Sequence, residues 1–497
     1  MTDVKAPVRA AAENKVVGSR VWLIRILIVG AIVGLIAAIF NLETKAGVGV
    51  AIILLMLVLI FCKIPVGVAL SVPGMIGLYS LYGTPALENI LRKVPFTTVA
   101  SWEYSVIPMF IFMGLLLWHS GITGAVYDVA KRGLGWMPGG LGIGTNLAGA
   151  GLAATSGSTI GILYAIGRIA MPEMLRAGYD KRLASGTILM AGLIGQVIPP
   201  SIFLVIYAGI AQVPVGPQLI AGIGPGILMA IVFALTILII ALVRPSWTGG
   251  AKRQDRGAVV AQSEPAAAAT PSSSWKEIIP LVLLIVVVVG GIYQGLFTAT
   301  EAGAAGALGA LIIVILRHRN PKKITREVKD SAIETIAATG GIFFLLIGSL
   351  ILARVLAVSG LGVAFSDWVT AADLSRWGFL VIIIIVYLIL GMFMDSLSIL
   401  ILTVPLLMPL VLGYGISPLW FGVFVVILAE MAMVTPPVGV LAFIFHDLTK
   451  SKEVNTGVDI KLGDVFSGIG LFMPAVLVVC GVLIAFPEVS TFLTDRM

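Results

Sequence analysis

Two stretches of this sequence, Ile194–Ile202 (IGQVIPPSI) and Met433–Val440 (MVTPPVGV), place a pair of adjacent prolines inside long hydrophobic segments. A proline removes a backbone hydrogen-bond donor and clashes with the preceding helical turn, so each pair is expected to interrupt a helix. The chain therefore breaks two of its hydrophobic helices in nearly the same way. The repetition indicates one structural device that is used twice.

The composition is that of a membrane protein. Of the 497 residues, 59% are hydrophobic and only 11% are charged, and the mean hydropathy is +1.08. A water-soluble core cannot bury so much apolar surface, and uninterrupted runs such as Ile278–Gly290 lack the alternation of a membrane β-strand. We therefore predict an all-α polytopic protein whose surroundings are the lipid bilayer.

The charges favour one orientation of the chain. The net charge of +7 is the excess of Lys and Arg expected on cytoplasmic loops, and it gives little support to a nucleic-acid partner. The basic N-terminus precedes an apolar run to Phe40 without an evident cleavage site, which predicts an uncleaved first helix and a cytoplasmic N-terminus. The two cysteines, Cys62 and Cys480, favour neither a disulfide framework nor a metal site.

With all basic loops on the cytoplasmic side, the chain divides into two halves. An extra N-terminal segment with one additional helix (1–46) and a flexible polar linker (245–275) flank the first half, 47–244, and the second half is 276–497. Each half is predicted to contain a re-entrant hairpin followed by a broken helix. The hairpins are placed at about 140–175 and 377–412, and the broken helices at about 182–212 and 417–446.

Short landmarks recur in the same order in the two halves, 235 to 239 residues apart. They are Ser120-Gly121 with Ser359-Gly360, Met171-Pro172 with Met408-Pro409, Gly178-Tyr179 with Gly413-Tyr414, and Pro199-Pro200 with Pro436-Pro437. The predicted path gives the two halves opposite orientations. An inverted repeat of this kind is typical of secondary transporters.

Each half then leaves helical form twice, at a hairpin tip and at a proline break. The tips are ATSGSTIG (154–161) and FMDSLSI (393–399). Backbone groups that are freed within a membrane are tolerated where they line a site or are buried in protein. Hydroxyl groups and bare carbonyls suit a hard cation such as Na⁺, and helix N-termini beyond each break suit an anionic substrate. The alternative is that these small residues only pack helices together.

Several charged residues lie in or near apolar segments, among them Arg168. Asp395, at the second tip, is interpreted as a cation ligand or substrate neighbour, with a local helix cap as the alternative. Arg354 either extends to the membrane interface or holds a substrate carboxylate. For Glu301 and Glu430 we expect hydrogen bonds between helices, with a proton-carrying carboxylate as the alternative.

Several segments resemble the large membrane (M) subunit of the tripartite ATP-independent periplasmic (TRAP) transporters. The run from AATSGSTIG to GQVIPPSI (153–202) resembles its first-half signature. TATEAGA (298–304), GMFMDSLSILILTVPLLMPL (391–410) and WFGVFVVILAEMAMVTPPVGV (420–440) resemble its second-half signature. The resemblance implies a bacterial inner-membrane importer of organic acids that is coupled to Na⁺ and works by an elevator movement. It also implies two partners, a small four-helix membrane subunit and a periplasmic substrate-binding protein.

The resemblance also assigns site residues. It implies one Na⁺ site between the first tip and the first break, and a second site between the second tip and the second break. The metal candidates are Ser156, Ser158, Gly195, Pro199, Asp395, Ser396, Thr435 and Pro436. The candidates for binding a carboxylate substrate are Ser156, Ser158, Pro200, Ser201, Arg354 and Asp395. The sequence departs from the family at Ser396, where proline is usual, and at the more polar Gln196.

Other functions fit the sequence less well. A stand-alone Na⁺/dicarboxylate symporter would share the hairpins, the breaks and the inverted repeat, and it would need no binding protein. An intramembrane enzyme is disfavoured, since the sequence contains neither an HExxH motif nor a G-x-S-x-G elbow. The lack of a P-loop disfavours an ATP-driven pump with its motor on this chain. A passive channel is a third alternative.

Overall fold

The computed structural model describes residues 25–156, 159–249, 275–318, 320–364, 367, 374–392, 394–436 and 439–497, with the backbone alone at 123 and 153–156. Regular secondary structure in these residues is helical, apart from one isolated bridge between Tyr179 and Thr248. This confirms the predicted all-α class. The predicted site residue Ser158, Pro437 of the second double proline, and most of the predicted linker lie outside the described residues.

The α-helices, in chain order, are Arg25–Asn41 (α1), Lys45–Phe61 (α2), Val66–Val99 (α3), Val106–His119 (α4), Ile122–Leu134 (α5), Gly140–Ser156 (α6), Thr159–Arg176 (α7), Lys181–Ile194 (α8), Ile202–Ala211 (α9), Val215–Ala221 (α10), Ile223–Val243 (α11), Ile279–Tyr293 (α12), Ala299–Arg317 (α13), Pro321–Val358 (α14), Arg376–Leu390 (α15), Ser396–Gly413 (α16), Pro418–Val434 (α17), Val440–Leu448 (α18), Lys452–Asn455 (α19), Leu462–Ala485 (α20) and Glu488–Thr491 (α21).

Seven helical segments within the described residues are long and apolar enough to cross a membrane. An eighth is added if the bent pair Glu103–His119 and Gly124–Leu134, which meet at 72°, forms one span. The protein is thus a multi-pass membrane protein. The long helix α14 begins at Pro321, because the basic run before the apolar segment is itself helical. Pairs four residues apart, Lys323–Glu327 and Arg326–Asp330, support that extension.

The chain separates into two compact units, Met1–Thr98 with Phe344–Leu374 and Val99–Phe343 with Ser375–Met497. In the first unit, glycines of α3 allow close packing. A Cβ on Gly77 would lie 2.1 Å from Ile52 Cδ1, and one on Gly67 would lie 2.4 Å from Phe344 Cδ1. The range of α3 contains two helices that meet at Gly83, whose φ is +74° and whose conformation is not helical.

Two helices, α8 and α17, form the centre of the second unit. Every residue from Leu183 to Ile194 and from Trp420 to Val434 is buried. A helix that is apolar on all sides belongs in a core, because no face of it gains from contact with water. These are the segments that precede the two double prolines, so each break begins at the centre of the unit.

The elements around the two central helices repeat in the two halves. Helix α8 packs against both α6 and α7, and α17 packs against both α15 and α16. The short helices that follow the breaks pack across to the other half, α9 against α16 and α18 against α7. Tyr207 on α9 donates a hydrogen bond to the Pro418 carbonyl at 2.7 Å. The second unit is therefore held together by reciprocal contacts between the halves.

Candidate functional site

The first break runs from Gly195 to Ser201, between α8 and α9. Its prolines, Pro199 and Pro200, are joined by a cis peptide bond and are buried. Ser201 caps α9, since its hydroxyl accepts a hydrogen bond from Leu204 N at 3.3 Å and donates one to the Gln196 carbonyl. The serine thus satisfies one free group on each side of the break.

The polar side chain of Gln196 lies in the first break without hydrogen bonds to its amide among the described residues. It is completely buried, and neither its Oε1 nor its Nε2 has a hydrogen-bond partner among the described residues. A buried amide without a partner is unfavourable by about 1–3 kcal/mol. Buried polar atoms of this kind point to water or a ligand that completes their hydrogen bonds.

The first hairpin tip lies beside the end of α8. The structure describes the backbone of Ser156 at the end of α6, and α7 begins at Thr159. A Cβ on Gly192 would lie 3.3 Å from Thr159 Cγ2, so the start of α7 lies against α8 just before Gly195. The structure therefore brings the first tip close to the first break.

The second break is built differently. Thr435 ends α17, and its hydroxyl donates to the Met431 carbonyl at 2.7 Å. Pro436 is exposed. Helix α18 begins after Gly439, which has φ +50° and no side-chain cap. Only glycine adopts this left-handed conformation readily, so backbone geometry rather than a hydroxyl group starts the helix.

At the second tip, Asp395 caps α16. Its Oδ2 accepts a hydrogen bond from Ser398 N at 3.1 Å, and its Oδ1 accepts one from the Ser398 hydroxyl. This is the local cap that the sequence left as the alternative for Asp395. The cap leaves part of the accepting capacity of the carboxylate unused, and Asp395 is exposed.

The second tip packs on the last turns of α17. The hydroxyl of the buried Ser396 lies 3.2 Å from the Ala429 carbonyl and 2.8 Å from Met433 Sδ, and it can donate to either. A Cβ on Gly391 would lie 2.1 Å from Ala432 Cβ. The second tip is thus placed just before Thr435, as the first tip is placed just before Gly195.

One hydrogen bond joins the two halves next to both tips. The Thr159 hydroxyl, on α7, donates to Glu430 Oε2 on α17 at 2.8 Å, and both residues are buried. The other oxygen, Oε1, has no hydrogen-bond partner among the described residues. This confirms the expected helix-to-helix hydrogen bond of Glu430.

The same expectation is wrong for Glu301. Its side chain is exposed and accepts hydrogen bonds from Thr298 N at 2.8 Å and from the Thr298 hydroxyl at 2.9 Å. The two residues form a capping box at the start of α13. Arg354 lies on α14 in the first unit, where it is exposed, and its role toward a substrate carboxylate stays a prediction.

Comparisons with known proteins agree with this architecture. Residues 53–489 match the family model described as the tripartite ATP-independent periplasmic transporter, DctM component. The C4-dicarboxylate TRAP transporter large permease protein DctM of Pseudomonas aeruginosa is 31% identical over 369 residues, which cover 74% of this chain and 82% of that protein. The ectoine/5-hydroxyectoine TRAP transporter large permease protein UehC of Ruegeria pomeroyi is 28% identical over 451 residues, 89% of this chain and 98% of that protein.

A solved structure supports the fold independently. The YdaH transporter of Alcanivorax borkumensis superposes with a TM-score of 0.57 at 14% identity, covering 83% of this chain and 91% of that chain. The family match and the relatives, all transporter permeases, confirm the resemblance that the tip and break motifs indicate. This chain belongs to the DctM family, the large permease component of the tripartite ATP-independent periplasmic transporters.

Proposed function

We propose that this chain is the translocation subunit of a Na⁺-coupled importer of a carboxylate. The observation that carries the proposal is the repeated pairing of a tip with a break. Thr159 lies beside Gly192 before the first break, and Ser396 lies beside Met433 before the second. In each half, hydroxyl groups and carbonyls that helices no longer use are gathered at one place, which is a ligand set suited to a hard cation.

The proposed Na⁺ ligands follow this pairing. The first ion would be held by Ser156, Ser158, Gly195 and Pro199, and the second by Asp395, Ser396, Thr435 and Pro436. The substrate carboxylate would lie near Pro200 and Ser201, where the N-terminus of α9 has its positive dipole end. Ser156, Ser158 and Asp395 complete the proposed substrate set.

The reciprocal packing of the halves supports an elevator movement. Helices α9 and α18 each pack against the hairpin of the other half, and Thr159 is bonded to Glu430. A group of elements tied in this way moves as one body, because a shift of one break alone would break contacts in both halves. We propose that the Thr159–Glu430 bond keeps the two ion sites in register during this movement.

The family membership supports the proposed partners and location. A periplasmic binding protein would deliver the substrate, and a small four-helix membrane subunit would accompany this chain in the bacterial inner membrane, with the N-terminus in the cytoplasm. The two relatives described above are named for C4-dicarboxylates and for ectoine and 5-hydroxyectoine, which carry a carboxylate. A carboxylate is therefore the substrate feature that we propose for this chain.

Uptake in proteoliposomes tests the proposal. This chain, its small subunit and the substrate-loaded binding protein should together take up substrate when an inward Na⁺ gradient is imposed. Uptake that persists without any Na⁺ gradient would contradict the coupling. Na⁺-driven uptake by this chain alone, without the binding protein, would instead establish the stand-alone symporter.

A further inference from the structure

A cleft of about 610 Å³ lies at one end of the second unit, outside the tips and breaks. One wall is the end of α5 and the turn that leads to α6, and it includes Lys131, Arg132 and Trp136. The other wall is formed by Tyr179, in the turn after α7, and by Thr248, in the segment after α11. The sequence predicts a flexible linker for the segment after α11.

The second wall is instead held in place by specific contacts. The Arg182 and Arg244 guanidinium groups lie 5.3 Å and 4.8 Å from the centre of the Trp247 ring. Asp180 N donates to the Trp247 carbonyl at 2.8 Å. The Tyr179 hydroxyl accepts a hydrogen bond from Gly142 N at 3.2 Å, which ties the wall to α6. These contacts fix the position of the second wall, so the cleft is a defined part of the fold.

The segments that border the cleft are strongly cationic. Residues 131–141, 173–182 and 241–249 contain six Lys or Arg residues and two acidic residues. Both acidic residues are paired, Glu173 with Lys131 at 2.6 Å and Asp180 with Arg182 at 3.4 Å. The lining itself contains two cationic side chains and no carboxylate. This charge favours an anionic ligand.

The cleft also lies where an apolar helix surface ends. Leu242 and Val243, the last residues of α11, are 62% and 73% exposed, and Arg244 follows directly. The span Val215–Val243 is apolar enough to cross a membrane. Trp136, which is 77% exposed, lies in the opposite wall. Exposed apolar residues followed by Arg and Trp mark the level of the lipid headgroups.

We propose that this cleft binds the phosphate headgroup of an anionic phospholipid. Lys131 and Arg132 contact the phosphate, and the acyl chains lie along Leu242 and Val243. Basic clefts at this level of a membrane protein select anionic lipids, because each cation adds an attraction that a zwitterionic lipid largely lacks. This site goes beyond the proposed transport function and does not depend on it.

Native mass spectrometry of the full chain with phosphatidylglycerol or phosphatidylcholine tests the site. Phosphatidylglycerol should bind at least about tenfold more tightly. Lys131→Gln with Arg132→Gln should weaken that binding about 30-fold, and Arg132→Gln alone, which preserves the Lys131–Glu173 pair, about fivefold. The control is Lys322→Gln with Lys323→Gln, an exposed basic pair at the start of α14, which should change binding less than about twofold.

Three outcomes would overturn the proposal. Equal binding of the two lipids would remove the headgroup selectivity, and an equal loss in the control pair would show that only the overall charge acts. Complete displacement of phosphatidylglycerol by inorganic phosphate would identify a site for free phosphate. The measurement needs no transport activity, so its failure leaves the proposed Na⁺ coupling untouched.

Discussion

The two breaks share a sequence pattern but differ in chemistry. The first is buried and neutral, with Ser201 capping the following helix and the Gln196 amide left without a partner. The second opens to an exposed Pro436 and begins its helix at the left-handed Gly439. The second tip carries the Asp395 carboxylate, whereas Glu430 is bonded to Thr159 of the first tip and is shared by the two halves. The two proposed ion sites therefore differ in their electrostatics, and we expect the second to hold the proposed coupling cation more strongly.

The largest expected effect comes from removing the charge at the second tip. Asp395→Asn keeps the helix cap, since Asn and Asp cap about equally well, but it removes the negative charge from the ion site. We expect an unchanged thermal unfolding midpoint and a loss of at least about 100-fold in Na⁺-dependent uptake, the scale of a lost charged contact. The measurement is initial uptake against Na⁺ concentration in proteoliposomes.

The matched control is Asp180→Asn. Asp180 also caps a helix, α8, by accepting a hydrogen bond from Arg182 N, and it lies away from the tips and breaks. It should leave the Na⁺ dependence of uptake unchanged. Wild-type Na⁺ dependence in Asp395→Asn would mean that this carboxylate is only a helix cap.

The bond between the halves should have the next largest effect. Thr159→Val leaves Glu430 Oε2 without its donor, which should lower the free energy of unfolding by about 1–3 kcal/mol. Glu430→Ala removes the acceptor and leaves a cavity as well, so it should lower that free energy further. Thermal unfolding of the purified variants measures both effects.

A double-mutant cycle measures the coupling energy of this hydrogen bond directly. Combining Thr159→Val with Glu430→Ala should give less than the sum of the single effects, with a coupling of about 0.5–3 kcal/mol. Both single variants should also raise the Na⁺ concentration needed for half-maximal uptake. Additive effects in the cycle would contradict a direct role for the bond.

The geometry of the second break predicts a smaller effect. Gly439→Ala places a Cβ 2.9 Å from the Val434 carbonyl oxygen in a left-handed conformation, which should lower stability by about 1–2 kcal/mol. At the first break, Ser201→Ala should lower it by about 1 kcal/mol through loss of the cap. Gly413→Ala, with open space around it, is the control. A Gly439→Ala effect no larger than that of Gly413→Ala would show that the left-handed start is not required.

The smallest change in stability, and one of opposite sign, is expected at Gln196. Gln196→Leu removes a buried amide without a partner, so the free energy of unfolding should rise by up to about 1 kcal/mol. The same change should weaken substrate uptake if the amide completes its hydrogen bonds with the ligand. A rise in the free energy of unfolding with unchanged uptake would show that the Gln196 amide does not bind the substrate.

Local signals predicted the parts of this fold that depend on local geometry. The double prolines located both breaks, because a missing N–H interrupts a helix whatever surrounds it. The Thr298-x-x-Glu301 spacing contained the capping box that the structure shows, although a contact between helices was expected there. The start of α14 at Pro321 was missed because hydrophobicity alone does not register a charged helical extension.

Contacts between distant segments could not be predicted from the sequence. Thr159 and Glu430 are 271 residues apart, and nothing local to either residue names its partner. The packing of Ser396 on Met433 also depends on how a hairpin docks against a helix. For Asp395, the sequence left a cap and a cation ligand open, since an aspartate before a helix and beside a break satisfies both patterns. Because Asp395 lies next to Glu430, the informative variant is one that removes the charge of Asp395 and keeps the helix cap.

The most direct test of the central claim is the Na⁺ dependence of uptake in proteoliposomes that contain this chain, its small subunit and the loaded binding protein. Two cooperating sites predict a sigmoidal dependence on Na⁺ in the wild-type protein and a loss of that sigmoidal form in Asp395→Asn. Uptake that is indifferent to the Na⁺ gradient in the wild-type protein would contradict the account of the tips and breaks as ion sites.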